Sequence, residues 1–234
     1  MPDRDSRSSA AAEASAAATR AQARRSARAG LLGFFADPRF MRGHARRVAF
    51  YSGLVAERMG LAGEERESLR FSAFLHDLGK VGVPADLLLR PGALAPDERR
   101  IVEQHPVIGS RLLGGFDVPG SAPLALRHHH EWWNGGGYPD GIAGERIPLA
   151  ARIIGVADAF DAMTSDRPYR KALTAERAVA ELQKYAGAQF DRDVVAAVVR
   201  LHEAGDFPVL YQKSSPNDED SPLPPVLPLR ATAS

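Results

Sequence analysis

The chain has 234 residues, a formal net charge of +1 and no cysteine, and 44% of its residues are hydrophobic. The absence of cysteine excludes disulfides, thiolate metal sites and a cysteine nucleophile. The nearly balanced charge disfavours a binder of polymeric nucleic acid, and no apolar run approaches the roughly 18 residues of a membrane span.

Composition divides the chain into a central region and two ends. Residues 1–30 are rich in Ala, Arg and Ser, and residues 213–234 are rich in proline with an acidic run. Both segments offer little apolar surface to bury, so we expect them to be disordered. Residues 31–212 are expected to form one domain. Because residues 1–30 contain no apolar block of the secretory kind, we expect a cytoplasmic location without membrane association.

Apolar residues recur at helical spacing through residues 31–212, which predicts an all-α, bundle-like domain. The first four helices are predicted over residues 42–60, over 64–80, from Pro96 to Leu112, and over 121–131. The glycine-rich segment 134–141 is predicted to be irregular. Pro148 is expected to begin a further helix, and Thr174 and Asp191 are expected to cap the N-termini of the last two.

Several of these helices place ionisable residues on faces that should be buried, where such residues need partners. The residues concerned are His44, His76, Asp77, His105 and Asp158, together with His129 and His130 at the end of the short helix. A divalent metal site would satisfy them, and a bundle core can hold one. His and Asp ligands without sulfur permit Fe, Mn, Zn, Co or Ni, and the number of ligands favours two ions. Any one of these histidines taken alone is more typical of a hydrogen-bonded core histidine, and it is their joint occurrence that indicates a metal site.

Asp77 and Lys80 are the candidate catalytic residues. A carboxylate can bridge two metals whereas a neutral imidazole cannot, so Asp77 is assigned as the bridging ligand. Two metal ions would activate a water for in-line attack on phosphorus. Lys80, one helical turn after His76, would steady a phosphate oxygen as a point charge.

Three motifs now identify a resemblance. His76 to Lys80 reads HDLGK and resembles the HD motif of the HD phosphohydrolase superfamily. Residues 129–139 resemble the HHExxxGxGYP signature of its HD-GYP subgroup, and residues 153–170 are similar to that subgroup's downstream motif, which ends in Arg-Pro-Tyr-Arg. The resemblance covers about residues 38–205. Glu131 sets the register of this motif, which leaves His128 outside it and expected at the surface.

The resemblance implies a cyclic di-GMP phosphodiesterase that forms pGpG and, in many members, GMP. It implies one metal on His44, His76, Asp77 and Asp158 and a second on Asp77, His105, His129 and His130, with Fe or Mn favoured. Lys80, Arg167 and Arg170 would contact phosphates or guanines, and Tyr138 would shape the substrate loop. Asp161, one turn after Asp158, is expected to orient a neighbouring group.

Other interpretations stay open at this point. Some members bind a third metal through a Glu four residues before the first His, but Phe40 occupies that position here, so two ions are expected. The competing functions are another HD phosphohydrolase, acting on a nucleotide or a different cyclic dinucleotide, a non-catalytic binding module, and a purely structural bundle. Besides the cyclic di-GMP substrate, a homodimer and a separate regulatory protein are the partners left open.

Overall fold

The computed structural model describes residues 43–90, 92–116, 118, 120–166 and 171–210. The helices in this part of the chain are α1 (His44–Arg58), α2 (Gly63–Leu75), α3 (Ala85–Leu89), α4 (Pro96–Val102), α5 (His105–Leu113), α6 (Ala122–His128), α7 (Leu149–Thr164), α8 (Ala175–Lys184) and α9 (Arg192–Glu203). Two 3₁₀ turns lie at Leu78–Gly82 and Gly144–Arg146. The described residues contain no strand, only an isolated bridge between Ala186 and Phe190. The all-α prediction is therefore confirmed.

Two apolar clusters hold the helices together. The larger one joins α1, α7, α8 and α9, and the fully buried rings of Tyr51 and Phe160 meet within it at a centroid distance of 5.1 Å. The smaller one contains Leu75, Leu113 and Leu126, from α2, α5 and α6. α1, α2 and α7 pack on one another, and α5 packs on α6 and on the first 3₁₀ turn. These elements meet at a central seam, which contains His76, Asp77 and His105.

The predicted caps of the last two helices are confirmed. The Thr174 side chain accepts a hydrogen bond from the Arg177 N–H at the start of α8, and Asp191 accepts one from the Asp193 N–H at the start of α9. Each side chain satisfies a backbone donor that the first turn of a helix leaves free.

The predicted helix from Pro96 to Leu112 is wrong as a single element. It breaks at Glu103 and Gln104, and a new helix begins at His105, directly before Pro106. Proline lacks an N–H, and in a continuous helix the Pro106 ring would clash with the carbonyl four residues earlier, at Val102, so the first helix ends there. Ile101 precedes His105 by four residues and would share its inner face in a continuous helix, but it is 45% exposed.

Two other predicted ends are too long. The second helix ends at Leu75 rather than at residue 80, and the chain continues from Asp77 into the first 3₁₀ turn. The short helix ends at His128 instead of residue 131. Phe40, Arg167, Arg170 and the proposed terminal segments lie outside the described residues. Among the described helices, none combines the length and apolar character that a bilayer crossing requires.

Candidate metal centre

Three histidines in the central seam share one hydrogen-bonding arrangement, in which the Nδ1–H donates to the backbone carbonyl three residues earlier. These bonds are 2.7 Å from His76 to Ala73, 2.8 Å from His105 to Val102 and 2.7 Å from His129 to Leu126. Each bond fixes the tautomer and leaves Nε2 as a bare acceptor. All three Nε2 atoms are buried and without a hydrogen-bond partner.

Buried polar atoms without a partner are rare in folded proteins, so three such nitrogen atoms in one seam indicate a ligand-binding site. A neutral imidazole whose Nδ1–H is anchored to a carbonyl is the usual form of a metal-ligating histidine. The donor set of this seam therefore fits a divalent metal.

One group of candidate ligands comes from α1 and from the end of α2. Single ligand atoms of His44, His76 and Asp77 lie within 4.8 Å of one another. Asp158 of α7 adjoins the group, because its Oδ1 is 3.4 Å from His44 Nε2 and 3.9 Å from His76 Nε2. Three helices thus bring two imidazoles and two carboxylates to one point.

A second group contains histidines only. Ligand atoms of His105, His129 and His130 also lie within 4.8 Å of one another. The His129 and His130 rings are 4.1 Å apart by centroid, and the His105 ring is 5.0 Å from that of His130. His105 begins α5, and the other two residues directly follow the last turn of α6.

Asp77 belongs to the first group and also faces the second. Its Oδ1 is 3.5 Å from His105 Nε2, whereas its Oδ2 is 3.6 Å from His76 Nε2 and 3.8 Å from His44 Nε2. Each carboxylate oxygen therefore faces a different group. This is the arrangement that a carboxylate shared between two cations requires.

Burial and charge keep these groups in the protonation states that bind metal. Burial lowers the pKa of His130 to about 3, and His105 nearby contributes to the shift. Burial also lowers the pKa values of His105 and His129, that of His129 far below its usual range. Burial would raise the pKa of Asp77, but the charge of Lys80 is the first effect that opposes it, and this pKa is well below its usual value. The imidazoles of these three histidines are therefore neutral near pH 7, and the Asp77 carboxylate is ionised.

His44 has a different environment. Its Nδ1 lies 2.7 Å from Asp161 Oδ2, and Arg47 Nη2 donates to the same oxygen over 3.0 Å. Burial lowers the pKa of His44, but the hydrogen bond to Asp161 and the charge of Asp158 outweigh this effect and raise it. Asp161 thus orients His44 so that its Nε2 faces Asp77 and Asp158.

The seam opens to solvent on one side. The side chains of His44, Lys80 and Asp158 are 30%, 28% and 22% exposed, whereas His76 is 1% exposed. Lys80 Nζ donates to Asp77 Oδ2 over 2.6 Å. Tyr138 stacks on His130 with a centroid distance of 4.9 Å, and burial raises the pKa of its hydroxyl. A substrate would meet Lys80 at this opening.

Gly137 allows the glycine-rich loop to pass close to the histidine pair. A β-carbon at Gly137 would lie 2.3 Å from the Trp132 nitrogen and 2.4 Å from the His130 carbonyl oxygen. Any other residue would push the loop away. The close approach lets the Tyr138 N–H donate to the His130 carbonyl over 3.2 Å.

Sequence reasoning missed two contributions next to these ligands. His128, expected at the surface, is buried, and its Nε2 lies 2.9 Å from the Asp140 carboxylate, which Arg127 also contacts. Arg47 pairs with Asp161. Arg47 follows His44 by three residues on the inner face of α1, so helical spacing could have revealed it; the Asp140 contact depends on the path of the loop.

A protein-family model described as HD domain matches residues 35–194. The chain therefore belongs to the HD domain family, and its motifs place it in the HD-GYP subgroup. A Xanthomonas campestris protein named cyclic di-GMP phosphodiesterase response regulator RpfG is 46% identical over 157 residues, covering 66% of this chain and 41% of that protein. A Thermotoga maritima protein named cyclic di-GMP phosphodiesterase is 39% identical over 181 residues, covering 76% of this chain and 48% of the relative.

Solved structures show the same fold. A Vibrio cholerae protein described as a cyclic GMP-AMP specific phosphodiesterase superposes with a TM-score of 0.57 at 20% identity, covering 70% of this chain and 44% of that one. The chain thus spans less than half the length of the two curated relatives and of this structural neighbour.

Proposed function

We infer that this protein is a metal-dependent phosphodiesterase that hydrolyses cyclic di-GMP to linear pGpG, with further hydrolysis to GMP as a second step. The observation that carries the proposal is that Asp77 belongs to one group of metal-ligating side chains and also faces the second, each group being bounded by buried Nε2 atoms without partners. The names of the two curated relatives support the same substrate.

Under this proposal the chain holds two divalent ions. His44, His76, Asp77 and Asp158 would hold one ion, and Asp77, His105, His129 and His130 the other. Mixed imidazole and carboxylate ligands suit Fe and Mn, and they also accept Zn, Co and Ni. Once bound, the ions supply an activated water and stabilise negative charge on the phosphoryl oxygens.

The side chains around the opening would bind and orient the substrate. Hydrolysis adds one water: its oxygen bonds to one phosphorus, the bond from phosphorus to the 3′-oxygen breaks, and that oxygen leaves with a proton. Lys80 would donate to a non-bridging phosphate oxygen in the transition state. Tyr138 would form one wall of the opening, and we include Arg167 and Arg170, which are outside the described residues, as phosphate or guanine contacts through their forked donors.

The test is product chromatography with protein purified without oxygen and loaded with Fe or Mn. We expect wild-type protein to convert cyclic di-GMP to pGpG, and the double variant His76→Ala/Asp77→Ala to lose at least about 10⁴-fold of that rate. The surface variant Glu145→Gln, on the second 3₁₀ turn, is the matched control and keeps the wild-type rate. Near-normal turnover by the double variant refutes the assignment.

A substrate panel separates the competing functions. Cyclic GMP-AMP is included because a solved neighbour of the same fold carries that name. Preferential hydrolysis of cyclic GMP-AMP or of a mononucleotide would identify another HD phosphohydrolase, and binding without metal-dependent turnover would identify a binding module. The proposal also includes a cytoplasmic location, a homodimer and a separate regulatory protein. Cell fractionation tests the location, and light scattering of the full chain tests the association.

A further inference from the structure

A cavity of about 210 Å³ opens beside the candidate metal centre. His130 and Asp158, two of the candidate metal ligands, also line the cavity, so the cavity adjoins the metal centre. From Asp158 the cavity follows α7 back towards its N-terminus and reaches Arg152. Its volume suits one planar ring system and is too small for a whole cyclic dinucleotide.

Glu131 lines this cavity and has half of its carboxylate unsatisfied. The residue is 7% exposed. Its Oε1 accepts hydrogen bonds from the Asp140 and Gly141 N–H groups, at 2.7 and 3.1 Å, whereas its Oε2 is buried without a partner. A buried carboxylate oxygen without a donor is costly, which indicates that a donor arrives with a ligand.

The charges around the cavity define what that ligand can be. Glu131, Asp158 and Asp191 all line it, and the one lining arginine, Arg152, already donates to Asp191 over 2.6 Å. A phosphate is disfavoured among three carboxylates, whereas a neutral group rich in N–H donors is favoured. Trp132 and Trp133 add aromatic surface of the kind on which bases stack.

The length of the cavity matches the reach of a nucleotide. Arg152 precedes Asp158 by six residues on one helix, which corresponds to about 9 Å along the axis. A phosphate at the metal centre would therefore place an attached base inside the cavity. Guanine presents adjacent N1–H and N2–H donors on its Watson–Crick edge, and adenine lacks this pair.

The geometry points to a guanine subsite in this cavity, in which Glu131 Oε2 accepts hydrogen bonds from the N1–H and N2–H of one base of the bound cyclic dinucleotide. This inference rests on the proposed phosphodiesterase function. It assigns Glu131 to base selection, beyond its contact with the glycine-rich loop. Neither the proposed ligand sets nor the phosphate contacts include it.

The variant Glu131→Gln tests the assignment, because it preserves shape, and its amide oxygen can still accept from the loop. An amide NH₂ then replaces the acceptor that guanine needs. Steady-state rates are measured on metal-loaded full-length protein with cyclic di-GMP, cyclic di-AMP and bis(p-nitrophenyl) phosphate, a phosphodiester without a base. We expect the KM for cyclic di-GMP to rise at least about 10-fold and the preference for guanine over adenine to fall by a similar factor.

Two further variants keep the outcome decisive. Glu145→Gln, an exposed residue outside the cavity, makes the same chemical change and is expected to leave both values as in wild type. Gln189→Leu changes the opposite wall without touching the segment that carries Glu131, and it is expected to raise the KM for cyclic di-GMP about threefold or more.

The outcomes distinguish this inference from the function it rests on. If the wild type cleaves cyclic di-GMP and Glu131→Gln keeps both the KM and the guanine preference, the subsite is wrong and the function stands. A second result also overturns the subsite: Glu131→Gln lowers the rates on all three substrates equally, and Gln189→Leu keeps the wild-type KM for cyclic di-GMP. That result would assign Glu131 to loop structure. If the wild type cleaves only the base-free diester, cyclic di-GMP is not the substrate, and the proposed guanine subsite is wrong as well.

Discussion

Gly79 and His105 approach each other so closely that a β-carbon at Gly79 would lie 1.8 Å from the His105 carbonyl oxygen. Gly79 belongs to the 3₁₀ turn after Asp77, and His105 begins α5. This contact brings the backbone that carries one candidate ligand group against the helix that carries the other. The glycine of the HDLGK motif is therefore a packing requirement for the two-group site.

Replacing Gly79 with alanine should separate the turn from α5. We expect Gly79→Ala to lower the free energy of unfolding by about 3 kcal/mol or more, at the upper end of the range for overpacking, because backbone atoms must move. Chemical denaturation of the metal-free protein measures this. Gly120→Ala is the control, since a β-carbon there has no heavy atom within 4 Å, and equal stability of the two variants would contradict the packing argument.

The two ligand groups predict a specific metal count. We expect two ions per chain in wild-type protein, and one in each of the variants His44→Asn and His105→Asn, because these residues belong to different groups. Elemental analysis of protein purified without oxygen gives the count. If wild-type protein holds one ion per chain and one of the two variants also holds one, only one group binds metal.

The buried histidines predict that metal-free protein loses stability in acid. The pKa of His130 is lowered to about 3 by burial, from the ordinary value of 6.5, and burial lowers those of His105 and His129 as well. Below pH about 6.5 these histidines are therefore protonated in the unfolded chain but stay neutral in the folded chain. His130 lowers the free energy of unfolding by up to about 1.4 kcal/mol per pH unit as the pH falls from 6.5 towards 3, and His105 and His129 act in the same direction until the pH reaches their own lowered pKa values.

Urea denaturation at a series of pH values, in the presence of a chelator, measures this slope. The variant His130→Asn removes one group that resists protonation, so its slope should be shallower than that of wild type by up to about 1.4 kcal/mol per pH unit. Parallel slopes for the two proteins would mean that His130 is protonated in the folded chain.

Much of this architecture could be predicted because it is periodic. Helical spacing of apolar residues gave the faces of α1 and α7, and side-chain oxygens at Thr174 and Asp191 marked two helix starts. The break before His105 was missed although Pro106 signals it, because the apolar pattern continues across Glu103 and Gln104. The local apolar periodicity indicates which face of a helix is buried, but it does not indicate where the helix axis changes direction.

The cavity beside the metal centre could not be predicted from spacing. Glu131, Arg152 and Gln189 come from separate segments, and no spacing in the sequence relates them to one another. Their meeting depends on the loop after α6, where the Trp133 N–H donates to the Gln189 carbonyl over 3.0 Å. Contacts of this kind depend on tertiary structure. From the sequence alone, Glu131 could be identified only as the residue that sets the register of a motif.

Asp161 provides a last prediction, because it connects a candidate ligand to a buried arginine. It is 2% exposed, and its carboxylate contacts both His44 and Arg47. In Asp161→Asn the amide cannot balance the charge of Arg47, so we expect a loss of about 3 kcal/mol in the free energy of unfolding, as for other broken buried ion pairs. We also expect metal affinity to fall about 10- to 100-fold, because His44 loses the partner that fixes its ring.

Metal titration calorimetry and urea denaturation of the same samples separate the two effects. Asp206→Asn, an exposed residue beyond α9, is the matched control and should change neither quantity. Lower stability with unchanged metal affinity would limit Asp161 to a structural role with Arg47. Lower stability and lower metal affinity together, with one ion fewer per chain, would show that Asp161 positions His44 for metal.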